Sequence, residues 1–193
     1  LAMQKALILG DEIALRPARY RDRKKWNQVR LENREWLSPW EATLPILPES
    51  RPADRSDAKW PAYFEMVWLL KREARAGRSY SFLIWQGANL IGQITMGGVI
   101  LGALRGAHIG YWIDQSYANR GLTTEAVRLL SDFGFFQLGI HRLEINIRPE
   151  NAASCKVAEK AGFEFEGHRK AYLHIDGAWR DHICFVKYND SIK

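Results

Sequence analysis

Cysteine is scarce: Cys155 and Cys184 are the only two in 193 residues. Two are too few for a disulfide framework and they form no CxxC pair, so a reducing compartment, the cytoplasm, is expected. Long apolar runs are missing as well. None approaches the ~20 residues of a membrane span, and no signal-peptide pattern opens the chain, so no membrane partner is expected. The opening Leu1-Ala2-Met3 lacks an initial Met. A vector remnant ahead of a native Met3 is expected, and residues 1–6 are set aside as a remnant or disordered start. Repeats, low-complexity tracts and dividing linkers are absent. Acidic residues are outnumbered: 28 Lys and Arg against 22 Asp and Glu give a formal charge of +6. That charge suits a nucleic acid, an anionic surface or a phosphorylated cofactor, although many ordinary enzymes are as basic. His108, His141, His168, His174 and His182 show no paired spacing with Cys, so no metal is expected.

What remains is ordinary and globular, 47% hydrophobic and 26% charged, and one domain over 1–193 is expected. Ile13–Arg16 alternates as a strand. Arg21–Asn33 reads as a basic amphipathic helix, with Trp26, Val29 and Arg30 at helical spacing. Pro39, Pro45, Pro48 and Pro52 make 37–55 a loop. Ser56 or Asp57 can cap a helix that carries Trp60, Phe64, Val67, Trp68 and Leu70 and ends at Gly77. Ser79–Trp85, Asn89–Val99 and Ala107–Ile113 then read as an antiparallel meander. Gly121–Leu138 is a helix with Ala126, Leu129, Leu130, Phe133 and Phe136 on one side. Arg142–Ile147 is a strand, Asn151–Ala161 a helix, and two strands joined near Asp176-Gly177 finish the chain. This order predicts an α+β fold, loosely α/β, on one mixed sheet of about seven strands. Residues 17–77 form a helical segment and 78–193 the core and C-terminal hairpin.

Two segments carry chemistry. In Ile109–Ala126 a strand passes through a polar turn into a helix start, where unpaired amides attract anions. Gly121 would let a phosphate approach the backbone, Thr123 and Thr124 add hydroxyls, and Arg120 adds charge. The same residues also fit a turn eased by Gly121 and capped by Asn119. In Ile145–Gly167 a strand ends at Pro149, and Asn151 and Ser154 offer an amide and a hydroxyl at another helix start, or merely cap it.

Taken together, the segments resemble the GNAT superfamily of acetyl-CoA-dependent amine acetyltransferases. The phosphate-binding pattern of that family reads here as Ala118-Asn119-Arg120-Gly121-Leu122-Thr123, followed by Thr124-Glu125-Ala126. Its second pattern reads as Asn151-Ala152-Ala153-Ser154 with Lys160-Ala161-Gly162-Phe163. Ala118 and Thr123 depart from the usual residues but leave the backbone amides in place. Glu32–Glu41 and Tyr172–His182 are similar to the early segment and C-terminal hairpin of the ribosomal-protein N-terminal acetyltransferases, the RimJ/RimL group, on the RimJ side.

The resemblance implies a three-layer fold with helices on both faces of the sheet and acetyl-CoA as co-substrate. It implies transfer to a protein N-terminal α-amine, with a ribosomal protein beginning with Ala or Ser as the expected acceptor. Acetylation of a small or antibiotic-like amine is the alternative, and a CoA-binding regulator with little turnover another. Weak ribosome or RNA association through Arg19, Arg21, Arg23, Lys24 and Lys25 also fits, as does a monomer or a homodimer. By resemblance Tyr111, Trp112 and Ile113 line the cofactor through backbone groups, with Asn119–Thr124, Asn151 and Ser154 completing its seat. The side chains of Tyr111 and Trp112 read equally as core. Ser154 is the expected proton donor to the thiolate, with Tyr172 behind it. The base glutamate of RimL-like enzymes falls at Leu173, where it is missing; Glu35, Glu41, Glu65 or an ordered water could substitute.

Five of the eight Trp precede residue 70. Trp26, Trp60 and Trp68 are expected in the core; Trp36 and Trp40, with Asn33 and Glu41, are expected at the substrate. The two outer motifs should form the walls of an open groove.

Overall fold

The computed structural model describes residues 7–46 and 62–192. Pro48, Pro52, Ser56, Asp57 and Trp60 therefore lie outside the described residues. Eight strands form one sheet: β1 (Ile8–Leu9), β2 (Ala14–Arg16), β3 (Tyr80–Gln86), β4 (Asn89–Ile100), β5 (Gly106–Ile113), β6 (Arg142–Ile147), β7 (Glu164–Ile175) and β8 (Ala178–Tyr188). Their order is β1-β2-β3-β4-β5-β6-β8-β7. The expected mixed sheet is present, with β1 as an extra strand too short to show a period. All pairings are antiparallel except β5 with β6.

Helices cover both faces. They are α1 (Arg23–Glu32), α2 (Arg34–Leu37), α3 (Tyr63–Arg75), α4 (Leu122–Asp132) and α5 (Ala152–Lys160). In α4 the spacing of Leu122, Ala126 and Leu130 makes one apolar stripe, and all three are fully buried against Ile94, Ile109, Leu143 and Ile145. On the opposite face Tyr63 and Val67 of α3, with Trp26 and Val29 of α1, pack on Leu83, Leu90, Trp85 and Trp112.

Two expected core residues lie outside. Phe136 is 68% exposed because α4 continues into a π-helical turn, Phe133–Gln137. The wider turn shifts the periodicity, so Phe133 and Phe135 point inward and Phe136 outward. Trp68 is 52% exposed, with the Arg72 guanidinium 5.0 Å over its ring. The stripe that α3 buries runs through Tyr63, Val67 and Leu70, which leaves Phe64 and Trp68 on the adjoining face. Trp26 is half-buried; its indole donates to Gln93 Oε1 at 3.0 Å.

Candidate active site

The parallel pair β5–β6 holds together only where Gly106–His108 faces Arg142–Glu144. β5 then continues to Ile113 and β6 to Ile147 without pairing to each other. Their facing backbone groups lose ladder partners, and a gap opens at the C-terminal ends of two parallel strands. Ligands of α/β sheets bind at such a place. Helix α4 follows β5 and α5 follows β6, so both helix starts lie at this end of the sheet.

At the start of α4, Gly121 is the N-cap with φ +80°, and Asn119 also has positive φ, +61°. The first intrahelical bond is Glu125 N–H to the Gly121 carbonyl at 3.0 Å. The amides of Leu122, Thr123 and Thr124 precede it, and among the described residues they have no backbone acceptor. A Cβ built on Gly121 meets nothing within 4 Å, so the approach is open. Thr123 and Thr124 are buried, whereas Asn119 and Arg120 are exposed. The Arg120 guanidinium lies 5.1 Å over the Tyr117 ring.

At the start of α5, Asn151 Oδ1 accepts from the Ser154 amide at 3.1 Å. One end of the Asn151 amide is thus used as a helix cap. Tyr111 reaches across from β5, and its hydroxyl donates to the Ser154 carbonyl at 3.3 Å. Burial pushes the Tyr111 phenol well above its usual range. Tyr111 and Ser154 therefore meet across the gap.

The gap is roofed by the segment from Trp36 to Thr43. Trp36 Nε1 donates to the Ile113 carbonyl at 3.1 Å, at the free end of β5. Asn33 is buried; its Oδ1 accepts from the Gln115 amide at 2.8 Å and its Nδ2 donates to the Val29 carbonyl at 3.0 Å. Both ends of that amide hold backbone. Arg148, just beyond β6, donates to the Pro39 carbonyl at 2.8 Å, with its guanidinium 5.3 Å over Trp40. Glu41 is ion-paired with Arg30, whose guanidinium lies 5.2 Å over Trp112.

The segment then meets the C-terminal hairpin. Ala42 bridges to Ile175, the Thr43 amide donates to the His174 carbonyl at 2.9 Å, and the Asp176 amide donates to the Glu41 carbonyl at 3.0 Å. The two expected walls are therefore joined at this edge, where the sequence suggested an open groove. Extended backbone with an unpaired edge at Ile175 takes up Ala42 as a further partner.

Beneath this roof the register of β7 slips between Arg169 and Leu173, and Ala171 has φ +45°. The bulge places the Tyr172 ring edge-on to His182, with centroids 5.8 Å apart, and Tyr172 Oη accepts from Arg169 at 2.9 Å. Leu173 is 40% exposed. Glu35 and Glu65 are exposed, and Glu35 makes no ion pair or side-chain hydrogen bond among the described residues.

Glu144, Glu166 and Cys184 bring ligand atoms within 4.8 Å of one another. Both carboxylates are already held by guanidiniums: Arg142 bonds Glu144 at 2.7 Å and Glu166 at 2.7 Å, and Arg169 pairs with Glu144 at 2.8 Å. Burial pushes the Cys184 thiol up to about 11. The cluster is an ion-pair network tying β6, β7 and β8 together.

A family model for the acetyltransferase (GNAT) domain matches residues 12–164. The chain belongs to the GNAT acetyltransferase family. RimJ of Mycobacterium smegmatis, solved with a CoA disulfide, is 36% identical, with TM-score 0.81 over 93% of this chain and 83% of that one. The [ribosomal protein uS5]-alanine N-acetyltransferase of Escherichia coli is 30% identical over 181 residues, 93% of this chain and 89% of its own length. The ribosomal-protein-S5-alanine acetyltransferase of Vibrio fischeri is 26% identical, with TM-score 0.81 over 97% and 99% of the two chains. The chain is thus an N-acetyltransferase of the RimJ/RimL group.

Sequence reasoning missed Arg148, Arg30 and His182 as parts of this site. Arg148 sits between the strand and Asn151, and an arginine there could have been flagged. His182 lies inside a quoted motif, but its burial is a tertiary fact.

Proposed function

We propose that this chain transfers acetyl from acetyl-CoA to the N-terminal α-amine of a protein, with a ribosomal protein beginning in Ala or Ser as the favoured acceptor. The observation that carries the reading is the parted β5–β6 pair, flanked by the α4 loop on one side and by the joined outer motifs on the other. The open amides from Leu122 to Thr124 would take the pyrophosphate, since main-chain N–H groups and the helix dipole both favour anionic charge. The thioester would then enter the gap between Tyr111–Ile113 and Asn146–Ile147. Ser154 would supply the thiolate's proton, with Tyr172 as the alternative donor. No helix among the described residues is long and apolar enough to cross a membrane.

An α-amine has an unperturbed pKa near 8 against about 10.4 for lysine, so it needs less help in deprotonating. The amine must come within roughly 3–3.5 Å of the carbonyl carbon, which favours a small first residue. The Ala42–Ile175 bridge narrows one side of the site, and this favours a second reading, a small free amine. A panel measured by thiol release separates them. Peptides headed by Ala or Ser should turn over; the same peptides N-terminally blocked and bearing lysine should not. Faster turnover of free polyamines or blocked lysine peptides would reject the α-amine reading.

A further inference from the structure

The hairpin offers no glutamate at Leu173, and Glu41 is tied to Arg30. A different group lies under the roof. Beyond His108 and Glu144 the gap is bordered by Asn146 on β6 and then by Arg148 just past its end. In β8, Cys184 pairs with Asn146 and Ile183 with Ile147, so His182 falls beside Arg148 on the face roofed by Trp36–Thr43. His182 is 3% exposed. Its Nδ1 lies 3.0 Å from the Arg180 carbonyl. A carbonyl only accepts, so Nδ1 carries the proton and Nε2 keeps a lone pair. Nε2 has no hydrogen-bond partner among the described residues.

We propose that His182 Nε2 is the proton acceptor for the incoming amine, standing where the group's glutamate is missing. The proposal holds for any amine acceptor, so it stands apart from the α-amine reading above. A substrate ammonium passes one proton to Nε2, directly or through a water, and becomes a neutral amine. Its nitrogen attacks the thioester carbonyl carbon; the C–N bond forms and the carbonyl π pair moves to oxygen. On collapse the C–S bond breaks with its pair on sulfur, and the surplus proton on nitrogen ends on that thiolate. The products are the amide and the CoA thiol, and His182 returns its proton to solvent.

The surroundings keep the imidazole neutral. Burial lowers its pKa, and Arg148 lowers it further; the bond to the Arg180 carbonyl, Glu150 and Asp181 oppose this without reversing it. From β7 it is faced by Tyr172 in edge contact and by Arg169, its register partner, while Arg180 and Cys184 flank it on β8. Nδ1–H on a main-chain carbonyl fixes the tautomer and aims Nε2, as a general base requires.

The test uses the amine that wild type turns over fastest in the panel, at saturation. Wild-type kcat should fall on the acid side with an apparent pKa below 6.5, the free imidazole value. His182→Asn keeps a donor for the Arg180 carbonyl and removes Nε2; His182→Gln instead leaves an amide near Nε2. Both should lose about 10²–10⁴-fold in kcat and the acid limb with it. Both should still gain thermal stability from acetyl-CoA, and added imidazole should restore part of the His182→Asn rate. A wild-type kcat with no acid limb at any pH where the enzyme stays folded overturns the proposal, whether or not the variants fold. So does full activity in His182→Asn, which would mean that only the bond to Arg180 mattered.

Discussion

Asp22 holds the turn between β2 and α1 with one carboxylate. Its oxygens accept from Arg16 at 2.9 and 3.0 Å, and Oδ2 also accepts from the Arg19 amide at 2.8 Å. Asp22 is 5% exposed, and the Arg16 guanidinium lies 4.5 Å over Trp85. Burial alone would raise this carboxyl's pKa; the bonds from Arg16 and the Arg19 amide outweigh it and hold the pKa below its usual range. The folded carboxyl therefore titrates below the unfolded value of about 3.9. Its stabilisation is present above that value and is lost as pH falls through the folded one. Asp22→Ala strands Arg16 and should cost about 3–5 kcal/mol in urea unfolding at pH 7. The gap to wild type should shrink as pH falls below the unfolded value of about 3.9 and on through the lower folded one. An unchanged gap there would show that Asp22 acts by packing and not by charge.

At the scale of elements, most of the fold was legible because the chain's periods are clean. The α4 stripe and the β3–β4–β5 meander both follow from spacing. The π turn was not legible: Phe133, Phe135 and Phe136 fit an α period until i→i+5 bonding reassigns them. The roof was half legible. Asn33, Trp36, Trp40 and Glu41 stood out as a motif, but what the motif bonds to is set by Ile113, Gln115 and Pro39, which lie far away in sequence. Trp36→Phe keeps the ring and deletes the donor to the Ile113 carbonyl. It should cost about 0.5–1.5 kcal/mol of stability and leave thermal stabilisation by acetyl-CoA intact. Loss of that stabilisation would mean that the roof also shapes the cofactor's seat. At the start of α4, Gly121 needs its positive φ, so Gly121→Ala should cost about 1–3 kcal/mol through strain alone, with no clash to relieve. A variant as stable as wild type would mean that the loop can adopt another backbone.

At the scale of the whole molecule, the site exists because two neighbouring parallel strands stop pairing after three residues each. The sequence contains both strands but not the length of their overlap, which depends on how α4 and α5 seat against the sheet. That is why the α4 loop could be read from its residues, while the bonds that the roof makes and the place of His182 beneath it could not. The gap and the α4 loop should act as one binding surface, which makes a linkage argument quantitative. A ligand that binds only the folded chain stabilises it by RT ln(1 + [L]/Kd), about 2.7 kcal/mol at a hundredfold excess. For a domain of this size each kcal/mol shifts Tm by about 2–4 °C, so saturating acetyl-CoA should raise Tm by roughly 5–10 °C. Gly121→Glu sets a carboxylate against the pyrophosphate at the open amides of Leu122–Thr124, so it should abolish that rise. Ser154→Ala removes a hydroxyl from the start of α5 and leaves the α4 amides untouched, so it should keep the rise while kcat falls by about 10²–10⁴-fold. If Gly121→Glu retained the full rise in differential scanning fluorimetry, the pyrophosphate would have to bind elsewhere, and the gap and the α4 loop would not form one site.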